Sequence, residues 1–357
     1  MSVSVAVITM KDGPHVQQYV GTLSLMKRVE KVHVCDPSSS IFPVAKETLG
    51  ERLVGTHADV AACLRSGPFA FALVALDNRS APAAIRQVLD AGYHVFTEKT
   101  AARTAAEFRP LVDLAARKNL LIGMSYPNRY RPSVQEARRL MKAGVLGKLY
   151  GFYIHSIATQ ARLRNPPGNW TFHREIAGGG YLIWLGCHYL DLLRFITGED
   201  VAEVGALSGR VSGIEFDVED GISLAIRLEG GAVGAANFGY YLDNHPQFGS
   251  KQSQITLWGE LGWMRLQPGE DGEVPLEVYS AHPHVRGTPY HRTSFTLASV
   301  PKAYGNGWGL AFLEDFLSAA LGKADPPIVA RDAEAVLQII DAAYAAARDR
   351  RIVTVAT

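Results

Sequence analysis

The first half of the chain alternates short, continuously apolar runs with stretches whose apolar positions recur every three to four residues. Residues 3–9 form a strand-length run, 16–29 read as a helix, and 31–35 form a second run that stops at Asp36, a β-α-β opening. The rhythm continues with helical patterns at 59–66, 82–91 and 105–118, and strand patterns at 69–76, 94–97 and 120–124. Continuous apolar strands between amphipathic helices predict a doubly wound parallel sheet covered on both faces. After a helix predicted over 132–143 the pattern changes. Strand-like runs at 151–157, 201–211, 221–228, 232–238, 254–258 and 262–266, joined by glycine-rich turns, predict a mainly antiparallel open sheet. Helices over about 307–321 and 331–350 close the chain, and the polar, histidine-rich stretch 267–301 reads as long loops. The expected division is therefore an α/β domain over 1–126 and an α+β domain over 127–357.

Composition narrows the class of partner. With 47% apolar and 20% charged residues, the 357-residue chain can bury two cores. A net charge of +1 from 36 basic and 35 acidic residues provides no electrostatic footprint for nucleic acid or an anionic membrane, so a small-molecule partner is expected. Cys35, Cys63 and Cys187 fall in no C-x-x-C pair or metal-finger spacing, which predicts reduced thiols, a cytoplasmic setting and no metal. The first ten residues have no basic leader or cleavage site, and their apolar run is too short to span a membrane.

Three blocks carry a resemblance. Residues 91–100 read AGYHVFTEKT, residues 177–191 read AGGGYLIWLGCHYLD, and Asn128-Arg129-Tyr130 is followed by a helix and GVLGKL at 144–149. Their order and spacing resemble the Gfo/Idh/MocA family, which includes glucose-fructose oxidoreductase and inositol dehydrogenase. That resemblance implies a Rossmann-like dinucleotide-binding domain followed by a substrate and oligomerisation domain. It also implies hydride transfer between NAD or NADP and a hydroxyl or keto carbon of a sugar, cyclitol or related polyol, and a homodimer or homotetramer formed through the open sheet face.

By the same resemblance, Lys99 holds the reacting hydroxyl near the nicotinamide and His188 is the general base. Lys99 follows a strand at the carboxyl edge of a parallel sheet, where such sheets place ligands, although a lysine after a strand is also an ordinary surface residue. A neutral imidazole can take a hydroxyl proton as hydride leaves the same carbon. Glu98 either borders the cofactor or pairs locally. Asp191, three residues beyond His188, either orients the imidazole or makes a structural contact. On the cofactor side stand Thr9 and Met10 in the first turn, Asn78 after a strand, and Asp36. A carboxylate at Asp36 would accept from an adenosine ribose and favour NAD, or it is a turn residue before Pro-Ser-Ser. His155, Trp170, Trp184, Tyr240 and Tyr241 are candidates to line the substrate or, equally, to be core. The loops around His245, His282, His284 and His291 are expected to contribute to the choice of substrate, with no place in the fold assigned to them.

Three departures change the expected chemistry. The turn after the first strand, Ile8-Thr-Met-Lys-Asp-Gly-Pro-His15, retains only Gly13, and Asp12 reads as an N-cap whose charge would oppose a phosphate. Trp184 stands where the family commonly has aspartate, four residues before His188, so on a helix its indole would cover the histidine's face. Thr100 replaces a proline, and a trans Lys99–Thr100 bond is expected. Two other classes therefore remain open: a lyase, isomerase or hydrolase on the same scaffold, using His173, Glu175, His188 and Asp191, and a noncatalytic binding protein.

Overall fold

The computed structural model describes residues 2–159, 161, 168–242, 251–268, 273–285, 287–297 and 299–356, the side chains of Glu273 and His284 excepted. The chain divides into two compact units, residues 1–127 with 299–334 and residues 128–298 with 335–357.

The first unit holds β1 (Val3–Thr9), β2 (Val29–Cys35), β3 (Leu53–His57), β4 (Phe71–Ala75), β5 (His94–Thr97) and β6 (Ile122–Met124). They form one parallel sheet in the order β3-β2-β1-β4-β5-β6. Its helices are α1 (Val16–Leu25), α2 (Phe42–Leu49), α3 (Val60–Arg65), α4 (Ala81–Asp90) and α5 (Ala105–Lys118). All five residues of β4 are buried, as a central strand covered on both faces requires. The strand order reverses beside β1, between β2 and β4, which is where doubly wound sheets bind ligands beyond their carboxyl ends. Sequence pattern missed α2 and β3: β3 is a half-exposed edge strand without an apolar run.

The second unit contains α6 (Pro132–Lys142), β7 (Leu149–Ala158), the short α7 (Arg174–Ala177) and α8 (Cys187–Thr197). Its strands continue with β8 (Val201–Gly209), β9 (Gly221–Leu228), β10 (Val233–Gly239), β11 (Lys251–Gly259), β12 (Gly262–Leu266), β13 (Glu273–Ser280), β14 (Tyr290–Thr296) and β15 (Val353–Thr354). They form a nine-stranded sheet in the order β14-β13-β12-β11-β7-β10-β9-β8-β15, antiparallel apart from β7 with β10. Two of its strands occupy the stretch expected to be loop. Val274, Leu276 and Val278 alternate inward along β13, but Pro275 interrupts the strand signal, and β14 is a polar, exposed edge strand specified only by its pairing to β13. His291 therefore lies in a strand opposite Val278 rather than in a loop.

The closing helices are α9 (Asn306–Ala320) and α10 (Ala330–Asp349). The sequence division assigned both to the second domain, but α9 packs in the first unit. Phe316 meets Phe71 edge-on with centroids 5.5 Å apart and lies 5.2 Å from Phe96. Among the described residues no helix is long and apolar enough to cross a membrane.

Candidate active site

In the first unit, the turn after β1 is pulled tight against neighbouring strand ends. Thr9 Oγ1 donates to the Ala75 carbonyl at 3.0 Å. A Cβ on Gly13 would lie 2.1 Å from that hydroxyl and 2.8 Å from the same carbonyl, so only glycine fits. Met10 sits half-buried in the same turn. The helix does not begin where Asp12 was expected to cap it. Asp12 is exposed at φ 56°, and the N-cap is His15, in the left-handed region at φ 55° and without a side-chain cap bond. The opposing charge predicted at the helix end is therefore absent from that position.

Instead of capping, the His15 ring reaches across to β5. Its Nδ1 lies 2.8 Å from Glu98 Oε1, and Tyr19, one turn along α1, donates its hydroxyl to the same oxygen at 2.6 Å. The Tyr19 oxygen is also 2.7 Å from Ser125 Oγ, and both rings pack on Tyr304, 4.6 Å and 4.7 Å between centroids. Glu98 Oε2 accepts the backbone N–H of Lys99 at 2.9 Å. Burial pushes the Glu98 carboxyl upward, but His15, Lys99 and the Tyr19 hydroxyl together hold it below its ordinary value of 4.5. Lys99 itself is 2% exposed, which removes the surface-lysine reading. The Lys99–Thr100 bond is cis, against the expectation of trans, within a buried stretch where Thr100 Oγ1 donates to the Ala102 carbonyl at 3.0 Å.

Asp36 resolves differently from the ribose reading. It is fully buried, and its two oxygens accept Ser38 N–H and hydroxyl at 2.9 and 2.7 Å, Ser40 hydroxyl at 2.9 Å and Ile41 N–H at 3.0 Å. Burial raises its pKa, but these four bonds bring it below 3.8. They account for the acceptor capacity of a carboxylate, so the turn reading describes Asp36. Asn78 is buried just past the carboxyl end of β4, beside an Asp77 that caps the next turn through Arg79 and Ser80 N–H.

In the second unit the glycine triplet has a direct cause. A Cβ on Gly180 would lie 1.9 Å from the Glu219 carbonyl oxygen, and one on Gly179 would lie 2.0 Å from the Tyr344 hydroxyl. Glu219 accepts Gly180 N–H at 2.8 Å, Leu182 N–H at 3.1 Å and the Tyr344 hydroxyl at 2.9 Å. These bonds fasten the start of the helical segment that delivers His188. Burial pushes the Glu219 carboxyl above its ordinary value. The sequence analysis passed over Glu219 because it lies about 40 positions from the triplet and in no motif.

Leu182–Gly186 is a π-helical turn running into α8. Trp184 lies in this π-turn, buried, and meets half-buried Trp170 at right angles, 5.5 Å between centroids. His188 is 8% exposed. Asp191 is gripped by Arg129, whose Nε and Nη2 approach its oxygens at 2.9 and 2.6 Å. Tyr240 belongs to an aromatic cluster, 4.7 Å from Tyr181 and 5.8 Å from Phe172, while Tyr241 is largely exposed. His155 lies beside Tyr153 on the sheet face opposite Ile154 and Ser156, and Ser156 is the residue bonded to Tyr181. The structure thus parts His155 from the side that carries Tyr181. His245 lies outside the described residues, as does the His284 side chain. Among the described residues no cluster of three His, Cys, Asp or Glu could hold a metal ion.

Comparison with known proteins follows this division. The Gfo/Idh/MocA oxidoreductase family's NAD-binding Rossmann-fold domain matches residues 5–126, and the GFO/IDH/MocA C-terminal domain matches residues 134–265. Levoglucosan dehydrogenase of Pseudarthrobacter phenanthrenivorans is 29% identical over 167 residues, 41% of this chain but only 43% of that protein. The rhizopine catabolism protein MocA of Rhizobium meliloti is 24% identical over 92% of this chain and 90% of its own. A solved levoglucosan dehydrogenase in complex with NADH and levoglucosan superposes with a TM-score of 0.84 at 19% identity, covering 100% of both chains. With both halves matched in order, the chain belongs to the Gfo/Idh/MocA oxidoreductase family, its first unit being that family's NAD-binding Rossmann domain.

Proposed function

We propose that this protein is an NAD(P)-dependent oxidoreductase that oxidises a hydroxyl carbon of a sugar, cyclitol or related polyol, or reduces the corresponding ketone. The observation that carries the reading is the buried Lys99 at the carboxyl edge of the parallel sheet, its backbone held by a buried, ionised Glu98. The residues beside the first turn suit a dinucleotide: Gly13 brings the backbone close to the strand ends, and no acid caps α1. Bound there, NAD(P) supplies the hydride acceptor. Lys99 holds the substrate oxygen by a charged hydrogen bond, and His188 accepts the hydroxyl proton as the carbinol hydrogen departs as hydride. Thr9, Met10 and Asn78 are the further cofactor contacts. Asp36, spent on its own turn, gives no reason to prefer NAD over NADP.

The Trp170–Trp184 pair offers an aromatic wall of the kind that packs on a sugar ring, which agrees with the carbohydrate substrate in the relative's name. A homodimer or homotetramer is proposed through the open face of the nine-stranded sheet, where Tyr153, Trp258 and Trp263 line a groove of about 340 Å³. Burial lifts the thiols of Cys35 and Cys63 to about 11 and about 12, and such unreactive free thiols suit a cytoplasmic protein.

The test is turnover with a panel of sugars and polyols, together with NADH and NADPH titration followed by nicotinamide fluorescence. Lys99→Ala and His188→Ala should each lower kcat by about 10²- to 10⁴-fold with cofactor affinity retained. Wild-type rates in both variants would reject these roles, and no binding of either cofactor would reject the function.

A further inference from the structure

The helical segment that carries His188 begins without a capping residue of its own: the three positions before Tyr181 are glycines, which bring no side chain. The first four N–H groups of a helix have no partner inside it and must find one elsewhere. Here they belong to Gly180, Tyr181, Leu182 and Ile183, because Trp184 N–H is already bonded back to the Gly180 carbonyl, at 3.1 Å. Two residues from distant stretches of the second unit take all four. Glu219 receives three: its carboxyl oxygens accept from Gly180 and Leu182, and its backbone carbonyl accepts from Tyr181 at 3.2 Å. Tyr344 receives the fourth, its hydroxyl accepting Ile183 N–H while donating to Glu219 Oε1. Leu182 passes the constraint onward. Its N–H is held by Glu219, and its carbonyl accepts Cys187 N–H across the π-turn, one residue before His188. One residue of helical register is about 100° about the axis, so a change in this turn would swing the histidine to another face.

We propose that Glu219 and Tyr344 are positioning residues for the reaction. Together they cap the π-turn from outside the segment, and through Leu182 and Cys187 they fix the direction in which His188 presents its imidazole.

The role rests on His188 acting as the base of the proposed oxidoreductase, and the test includes a readout that needs no turnover. Tyr344→Phe removes only the hydroxyl, Glu219→Ala removes both carboxyl oxygens, and Glu219→Gln keeps one of them as an acceptor. At saturating substrate and cofactor, kcat should fall about tenfold in Tyr344→Phe and about 100-fold in Glu219→Ala. NADH affinity should stay within about twofold in both, and Glu219→Gln should restore kcat to within about threefold of wild type. The solvent deuterium isotope effect on kcat should grow in the two impaired variants, because a displaced base slows the proton transfer. Leu228→Ala, buried at the opposite end of β9, is the control: it should lower Tm and leave kcat unchanged. Amide exchange followed by mass spectrometry should rise over residues 180–188 in Tyr344→Phe while β9 keeps its protection. Wild-type kcat in folded Tyr344→Phe and Glu219→Ala proteins overturns the proposal, as does a loss of kcat that Leu228→Ala reproduces at equal Tm. Exchange unchanged over 180–188 overturns the outside cap itself. Absence of turnover in the unaltered protein overturns the oxidoreductase reading, and exchange that still rises in Tyr344→Phe tells that outcome apart.

Discussion

Glu98 and Glu219 are both almost fully buried, at 1% and 4% exposure, and both lie beside the stretch that presents a candidate catalytic residue. Their carboxyls nevertheless move in opposite directions. At Glu98 the burial cost is overcome by His15, Lys99 and Tyr19, and the acid is held ionised. At Glu219 two backbone N–H groups and the Tyr344 hydroxyl soften the cost but do not cancel it, and its pKa rises. At these two positions the acid with Lys99 beside it is held low, whereas the acid reached by two backbone N–H groups and a hydroxyl rises. One unit therefore uses its buried acid as a counterion, and the other uses its acid as a clamp.

The largest expected effect breaks the clamp. Gly180→Ala would drive a Cβ to 1.9 Å from the Glu219 backbone carbonyl, which side-chain adjustment cannot relieve. It should cost about 3 kcal/mol or more in urea denaturation. Removing the charges comes next. Glu98→Gln leaves the buried Lys99 without its counterion and should cost about 3 kcal/mol. Glu219→Gln should cost about 1 kcal/mol, since it loses one acceptor but sheds the burial of a charge. Equal costs would erase the contrast between the two acids.

The pH dependence sharpens it further. Glu98 has a folded pKa below its ordinary 4.5, so its contribution is present above 4.5 and is lost as pH falls through the lower folded value. Glu219 has a folded pKa above 4.5, so its protonation favours the fold below 4.5 and that contribution is lost as pH rises through the folded value. The Tm gap between wild type and Glu98→Gln should accordingly narrow below pH 4.5. The gap between wild type and Glu219→Gln should widen as pH falls from neutrality towards 4.5. Parallel curves would show that the two acids share one charge state.

Much of the scaffold was legible along the chain. The pattern located β1, β5, α5, β9 and β12 residue for residue, because an apolar run or a helical period is a local property. It failed where a strand exists through its neighbour, as β14 does beside β13, and where helix α9 had to choose a unit to pack in. Lys99 and His188 stood out through motifs. Their supports did not, since His15 and Glu98 are 83 positions apart and meet only through the sheet.

The sequence by itself determined the alternation of strands and helices in the first half, the change to strand-rich pattern in the second, and the blocks carrying Lys99 and His188. Only the tertiary structure decided that Asp36 spends its oxygens on its own turn, that His15 rather than Asp12 starts α1, and that Trp184 meets Trp170 edge-on. The reason is physical. Periodicity is written in neighbouring residues, whereas the charge and reach of a buried polar group depend on which distant atoms the fold brings within about 3 Å of it.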